Sequence, residues 1–423
     1  MTLEQLHRAD IPRPILDVLH QLRERGFAVF LVGGCVRDIL RGVAPKDFDV
    51  ASSALPQEVQ GAFKKVIPTG IQHGTVTVVI GGNHVEVTTF RSEGDYLDGR
   101  RPSSVTFERD ITRDLSRRDF TINAMAYDPI GRELVDPFGG MEDLQAKLIR
   151  CVRSPLERFS EDGLRPLRAV RFAAVLGFSL DPATRDAIPP TLPIFKKVAL
   201  ERVREEFVKL LLSPRAELGL TLLQETGLLE VFLPELAGAG EDAARLARAA
   251  AQAAPAEVEI RLAALLADLV RGAPARDIAL RLKFPTKTAD TLGVLTEHAF
   301  LENRTGDSDP SLRRVLAQVG PALLEPLLAA AKARVEVRQP DRLPAFLGLQ
   351  ERLRALLAAK PPLTTKELAL SGKDIMTTLG IGPSPQVGEA TRFLLEAVLD
   401  DPTLNESERL KGLLKTWQAG KGA

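Results

Sequence analysis

The sequence predicts an α+β chain, with strands and helices together up to residue 140 and helices almost alone beyond it. Three observations carry that expectation. Short β-rich runs bounded by glycines fall at Phe27 to Val32, Thr75 to Ile80 and Val85 to Phe90. After Asp136-Pro137-Phe138-Gly139-Gly140 the strand signals nearly vanish, and Leu, Ala, Arg and Glu recur at helical spacing. Breaks at Pro189-Pro190, Pro255, Thr305 to Pro310 and Pro361-Pro362 then cut the helical part into successive modules rather than one bundle.

At 423 residues the chain exceeds one ordinary core, so several domains are expected. With 44% apolar and 26% charged residues there is ample material for globular cores. No run reaches the roughly 18 uninterrupted apolar residues of a membrane span. Met1 to Asp10 is polar and lacks the apolar region of a signal peptide, which points to a cytoplasmic protein. Cys35 and Cys151 are far apart and lack metal spacing, so neither a disulfide framework nor a zinc site is supported. Lys and Arg total 56, as do Asp and Glu, so a nucleic-acid partner would have to meet local patches rather than net charge.

Taken in order, Ile15, Leu16, Val18, Leu19 and Leu22 recur at helical spacing after Pro12 and Pro14, and Gly26 ends that helix. The strand Phe27 to Val32 runs into Gly33-Gly34 and a helix around Arg37 to Arg41, an order that lets backbone approach a phosphate. Lys46-Asp47-Phe48-Asp49-Val50 reads as the next strand. Side chains alternate faces on an extended chain, so Asp47 and Asp49 point one way and Phe48 the other. Two carboxylates held side by side repel unless a cation sits between them, and a few hard oxygen donors suit Mg²⁺. By itself such a pair is most often a solvated strand face.

Leu55 to Phe63 reads as a short helix. Thr75 to Ile80 and Val85 to Phe90 form a hairpin about Gly81-Gly82-Asn83-His84. Val85 and Val87 share one face of its second arm, leaving Glu86 on the other. Glu86 would stand beside the Asp pair as a third carboxylate if the two strands are sheet neighbours. Residues 91 to 116 are polar and carry Gly94, Gly99 and Pro102, so they read as a long loop, a length more often functional than idle. Arg117-Arg118-Asp119-Phe120-Thr121-Ile122-Asn123-Ala124-Met125 follows, a charged entry into an apolar segment that alone would read as a surface ion-pair cluster. In this order the parts supply what phosphoryl transfer needs: carboxylates for metal ions, and backbone and Arg to neutralise phosphate charge.

Gly33-Gly34-Cys35-Val36-Arg37-Asp38 with Lys46-Asp47-Phe48-Asp49, then Arg117-Arg118-Asp119 through Asn123-Ala124, then Glu161-Asp162-Gly163-Leu164-Arg165, resemble the ordered motifs of class II tRNA nucleotidyltransferases. These are the CCA-adding enzymes, within the wider family that includes bacterial poly(A) polymerases. The resemblance covers about the first half of the chain. It implies a nucleotidyltransferase palm, a mixed β-sheet with helices, over residues 1–138. A helical neck over 139–215, a body over 216–304 and a tail over 305–423 follow. It also implies that Asp47 and Asp49 bind catalytic Mg²⁺, with Glu86 as third carboxylate. Gly33, Gly34 and Arg37 contact the incoming triphosphate, and Arg117, Arg118, Asp119 and Asn123 hold its ribose and phosphates.

Asp162 and Arg165 match the positions that choose the base in the family. A carboxylate accepts from an exocyclic amine while guanidinium donates to the adjacent ring nitrogen. Cytosine and adenine offer that edge, whereas uracil and guanine place a carbonyl where the amine should be and would leave both groups unpaired. The plain alternative is an i, i+3 ion pair on a solvated helix. Arg168 and Arg171 continue the spacing and are expected to help bind the nucleotide. On one continuous helix, Arg171 would lie roughly opposite Asp162, and Pro166 would sit in the helix interior and kink it.

A local basic surplus in the neck, from Lys147, Arg150, Arg153 and Arg158 onward, offers phosphate contacts to the acceptor end of a tRNA. Glu201-Arg202-Val203-Arg204-Glu205-Glu206 resembles the family's last motif, a structural support. Asp95-Tyr96-Leu97-Asp98-Gly99-Arg100-Arg101-Pro102 resembles the complete loop of enzymes that add the terminal A, which favours CCA or A addition from CTP and ATP over CC addition. Leu265-Leu266-Ala267-Asp268-Leu269 resembles a His-Asp phosphohydrolase signature with Ala where His should stand, so that second activity is not expected. No protein partner is indicated, and a homodimer is compatible with the sequence.

Overall fold

Alternation of apolar residues sets the sheet of the first unit. In the computed structural model, residues 2–94 and 104–421 are described, and the chain divides into the units Met1–Ala237 and Gly238–Ala423. The loop motif Asp95 to Pro102 lies outside the described residues. The strands are β1 (Val29–Val32), β2 (Asp49–Ser52), β3 (Val66–Gly70), β4 (Thr75–Ile80), β5 (Asn83–Thr89), β6 (Arg91–Glu93), β7 (Val105–Phe107), β8 (Ala126–Asp128) and β9 (Glu133–Val135). Among the described residues one sheet has the order β3-β4-β5-β2-β1-β8-β9. It is mixed, since β2 and β5 run parallel while the other neighbours are antiparallel.

Helices flank these strands: α1 (Leu3–His7), α2 (Arg13–Glu24), α3 (Gly34–Leu40), α4 (Pro56–Ala62) and α5 (Ile111–Ser116). In α2 the buried positions are Ile15, Val18, Leu19 and Leu22, the stripe that a 3.6-residue period requires, and Pro14 occupies its first turn at no hydrogen-bond cost. The β4–β5 turn is tighter than the sequence suggested. Ile80 pairs with Asn83, and Gly81 and Gly82 alone make the loop, both at positive φ, as a two-residue hairpin demands. A further difference lies at residues 91–116, expected as loop. There β6 pairs with β7, and α5 follows, because Arg91 and Ser92 find ladder partners in Phe107 and Thr106 and Ile111 and Leu115 find a core.

That core joins Val32, Ala51 and Phe90 to Ile111, Leu115, Ala124, Ala126 and Val152, so the sheet, α5 and the start of the helical part share one apolar cluster. Beyond it run α6 (Gly140–Ala146), β10 (Leu148–Ile149), α7 (Pro155–Glu161), α8 (Arg165–Leu176), β11 (Ser179–Leu180), α9 (Pro182–Asp186), α10 (Ile188–Phe195), α11 (Leu200–Leu211) and α12 (Ala216–Glu225). The small β10–β11 pair is parallel, and α8 packs against α11 and α12.

The expected continuous helix through Asp162 to Arg171 does not form. Asp162 has φ −130° and ψ 107°, outside both α7 and α8, and Pro166 falls in the first turn of α8 rather than its interior. There the missing N–H is one the helix would leave unpaired anyway, so Pro166 starts α8 instead of kinking it.

The second unit is helical throughout its described residues, from Glu241–Ala253 to Ser407–Lys421. Leu368, Leu370, Ile375, Leu379, Ala390, Leu394, Val398, Leu410 and Leu414 form one of its cores. No single described helix is long and apolar enough to cross a membrane.

Candidate active site

The site gathers where β1 ends, β2 begins and α8 starts. Gly33 follows β1 at φ +75° and ψ −130°, a conformation open to glycine. A β-carbon there would stand 2.9 Å from Arg118 Nη1 and 3.7 Å from Asp49 Oδ2, so this residue keeps space between the cation and the acid. Asp49 opens β2 directly across from Val32. Asp47 lies two residues before the strand, a small departure from the expected placement of both acids on it.

The register of β2 with β5 places Val50 opposite Val87, and one step back brings Glu86 abreast of Asp49. The strand adjacency that the third carboxylate required is therefore present. Burial pushes the Asp49 carboxyl upward, Arg118 opposes this, and the charge of Asp47 pushes it further. Glu86 is exposed and, with Asp47 and Asp49, lines a cavity of about 820 Å³.

A second cavity, of about 700 Å³, shares Asp47 and Asp49 with the first. Gly33, Gly34, Arg37, Arg117, Arg118, Asp119, Asn123, Asp162, Arg165, Arg168 and Arg171 also line it, together with Phe172. Every candidate nucleotide-binding residue named from the sequence thus faces one space. Arg171 and Asp162, expected on opposite sides of a helix, both line it, because Asp162 sits in the break before α8 and the helical rotation does not connect them.

Most of these side chains already hold one another. Arg37 donates to both Asp38 oxygens at 3.0 Å and to Asn123 Oδ1 at 2.7 Å. Asn123 Nδ2 donates to Asp119 Oδ1 at 3.1 Å, and Arg168 donates to Asp119 Oδ2 at 2.6 and 3.0 Å. Burial pushes the Asp119 carboxyl up, but Arg168, Asn123 and Arg165 overcome this and hold it down at about 2. Arg171 donates to Glu206 Oε2 at 2.5 Å, and Arg168 Nη1 lies 3.9 Å from the other oxygen. The Phe172 ring lies 3.7 Å from the Arg171 guanidinium carbon and 5.4 and 5.6 Å from those of Arg37 and Arg168. Its edge-to-face neighbour is Phe120, 5.6 Å away. One network thus runs from α3 to α11, and few of its groups must reorganise when an anion enters.

Four residues of this network escaped the sequence reading. Asp114 is buried in α5, where it binds Arg117 at 2.8 Å and Arg118 at 3.1 Å. Although its own burial works against ionisation, the two guanidiniums keep its carboxyl below the ordinary value. Its spacing of three and four residues before those arginines was a usable signal. Phe172, immediately after Arg171, had none. Glu206 fell within a motif read only as structural support, and Arg202, in the same motif, was otherwise counted only among the basic residues offered to tRNA.

The plain alternative for Asp162 and Arg165, an i, i+3 ion pair on a solvated helix, does not form. The side chains of Asp162 and Arg165 do not pair, although the Arg165 backbone N–H donates to the Asp162 carbonyl at 2.9 Å. Asp162 Oδ2 accepts from Arg202 at 2.9 Å and Oδ1 from the backbone of Leu164 at 3.1 Å. Arg165 is buried and donates to Glu161 at 2.5 Å and to the carbonyls of Arg158 and Arg117, each at 3.0 Å.

Comparisons with known proteins point to one family. The family model described as Poly A polymerase head domain matches residues 29–150, and the model described as "Probable RNA and SrmB- binding site of polymerase A" matches residues 177–239. A CCA-adding enzyme from Geobacillus stearothermophilus is 40% identical over 401 residues, covering 93% of this chain and 94% of its own. One from Geobacillus thermodenitrificans is 41% identical over 399 residues, with 93% and 94% covered. The crystal structure of the Bacillus stearothermophilus CCA-adding enzyme in complex with CTP matches with a TM-score of 0.79 at 34% identity, covering 97% of this chain and 99% of that one. The Thermotoga maritima CCA-adding enzyme complexed with tRNA, at 20% identity and a TM-score of 0.62 over 99% of both chains, shares the fold. With that identity sustained over nearly its whole length, the chain belongs to the CCA-adding enzymes, a family of nucleotidyltransferases.

Proposed function

We propose that this protein adds C, C and A to the 3′ end of tRNA from CTP and ATP, releasing pyrophosphate, without a nucleic-acid template. The carrying observation is the pair Asp47 and Asp49 at the junction of two cavities, one rich in arginine and one reaching Glu86. A triphosphate suits the arginine-rich space, and an acceptor hydroxyl can approach from the other. The four parts read from the sequence, palm over 1–138, neck over 139–215, body over 216–304 and tail over 305–423, serve this division of labour. The bacterial relatives support a cytoplasmic setting.

Family membership implies dependence on a divalent metal, and the donor set fits Mg²⁺. The two aspartates are hard oxygen donors, and Asp49, pressed upward by burial and by its neighbour, is relieved by a cation. Among the described residues no three His, Cys, Asp or Glu side chains come together at metal-holding spacing. Asp47 and Asp49 would hold the ion, and Glu86 is the acid within one strand of them. The ion supplies a lowered pKa for the attacking ribose hydroxyl and charge neutralisation of the departing pyrophosphate. The chain itself does the rest. Gly33 and Gly34 let backbone approach the phosphates, while Arg37, Arg117 and Arg118 neutralise them from positions fixed by Asp38, Asn123 and Asp114. Asp119 and Asn123 orient Arg168 and Arg37 around the ribose. Asp162 and Arg165 read the amine-bearing edge shared by cytosine and adenine, with Arg202 orienting Asp162.

The test offers the purified protein tRNAs ending before the first C, after C and after CC, with CTP or ATP alone and together. CTP should extend the first two, and ATP only the third, by one residue. Extension of the CC-ended tRNA alone would make the protein an A-adding enzyme, and long A tracts on unrelated RNA would make it a poly(A) polymerase.

A further inference from the structure

A third cavity in the first unit, of about 170 Å³, is room enough for a phosphate group and much smaller than the two that meet at Asp47 and Asp49. Arg113, Arg117, Arg153 and Arg158 line it with Ser92 and Ser116. Glu161 is the carboxylate in its wall, and it already accepts from Arg158 and from Arg165. Arg113 shares Glu108 with Ser92, and Arg117 is held by Asp114. Arg153 makes no ion pair among the described residues. It is exposed and packs only its guanidinium, 5.9 Å from the ring centre, over Phe138.

Glu108, Asp114 and Glu161 balance three of these guanidiniums, which leaves Arg153 as the cation of the wall with no ion pair among the described residues. Forked N–H donors match a tetrahedral phosphate, while the hydroxyls of Ser92 and Ser116 already donate to Glu108 and to the Arg113 carbonyl. Arg117 also lines the active cavity, so the two spaces are neighbours. We propose that this cavity is a second anion site, which holds a backbone phosphate of the acceptor RNA. The assignment rests on the reading of the protein as an RNA-extending enzyme. It narrows the diffuse basic surplus of the neck to one place: Arg150 is engaged by Asp143 and Asp181, and Arg165, Arg168 and Arg171 face the active cavity, whereas Arg153 and Arg158 face this one. The active cavity has its own arginines for the nucleotide triphosphate, so the ligand here is the other phosphate-bearing substrate.

The experiment measures tRNA binding by fluorescence anisotropy over a range of salt for the full chain and for Arg153→Ala, Arg153→Lys and Arg113→Ala, alongside steady-state kinetics. One lost phosphate contact should lower the slope of log affinity against log salt by about 0.7 to 0.9 in Arg153→Ala and raise KM for tRNA about tenfold. KM for CTP and ATP, and kcat at saturating tRNA, should stay at the wild-type values. Arg153→Lys should restore the slope, since the charge is kept, while losing part of the affinity with the fork. A raised KM for CTP and ATP with an unchanged RNA slope would overturn the proposal in favour of the triphosphate. An unchanged slope with all constants unchanged would reduce the cavity to a structural cluster. Binding is read without turnover, so a wild-type protein that bound tRNA yet extended none would defeat the catalytic reading while the slope comparison still decided this one.

Discussion

Arginine–aspartate pairs do opposite work in the two units. In the first, Arg168 binds Asp119 at 2.6 Å, yet its side chain keeps 33% of its exposure and lines an open cavity. In the second, Arg334 binds Asp268 at 2.7 Å with only 2% exposure, and also donates to the Ala299 carbonyl at 2.9 Å above the Phe300 ring. Arg338 meets the same Asp268 at 2.9 Å. A sealed pair has no face left for a ligand and can only hold helices together, whereas a pair at a cavity wall stores charge for something that enters. Asp268 is also the acid of the partial phosphohydrolase-like signature, and in this fold it is a structural counter-ion.

If that contrast is right, charge removed from the site should cost activity and charge removed from the sealed pair should cost stability. The largest effect is expected for Asp49→Asn. Nucleotide incorporation should fall by roughly 10³-fold or more, with thermal stability unchanged or raised, because the lost carboxylate is partly desolvated beside a like charge. A folded variant with undiminished incorporation would break the assignment of the metal site. Next is Arg334→Met, expected to destabilise the second unit by about 3 kcal/mol in urea unfolding, the low end for a broken buried pair because Arg338 remains. Its kcat measured on folded protein should be that of the wild type, and a selective loss of kcat would erase the distinction.

The smallest effect sharpens the comparison, since Asp119 belongs to both kinds. Its carboxyl is held down at about 2 from an ordinary 3.8, so the folded state favours the ionised form. The stability this contributes, about 2 kcal/mol, is fully present above about pH 4 and is lost as pH falls through 2. Urea unfolding from pH 5 to pH 2 should show that loss in the wild type and lack it in Asp119→Asn. Equal pH dependence in both would mean that Asp119 is not the group holding Arg168.

Local chemistry made the first part of the site legible. Asp47 and Asp49 two residues apart, a strand ending in Gly33-Gly34, and a glycine pair between two β-rich runs are short-range patterns, and short-range sterics set them whatever the rest of the chain does. The motif residues from Gly33 to Arg171 were nameable through their resemblance to the family's ordered motifs, and they line one cavity. Less legible was residue 91 to 107, where polar composition hid a strand pair, because a ladder takes its stability from a partner many residues away. The break at Asp162 was misread because spacing alone does not show where a helix starts, although Pro166 is a residue suited to the first turn.

The sequence by itself determined the α+β division, the carboxylate pair, the order of the motifs and hence the chemistry they suit. Only the tertiary structure decided that Glu86 stands abreast of Asp49, that Asp162 turns to Arg202 and Arg165 to Glu161, and that Phe172 lies under three guanidiniums. It also decided that Arg153 and Arg158, two among many basic residues, share a phosphate-sized space with Arg113 and Arg117. Backbone periodicity is a property of neighbours in the chain. A charge's partner depends on which helices and strands pack together, and that is determined by burying apolar faces far apart in sequence.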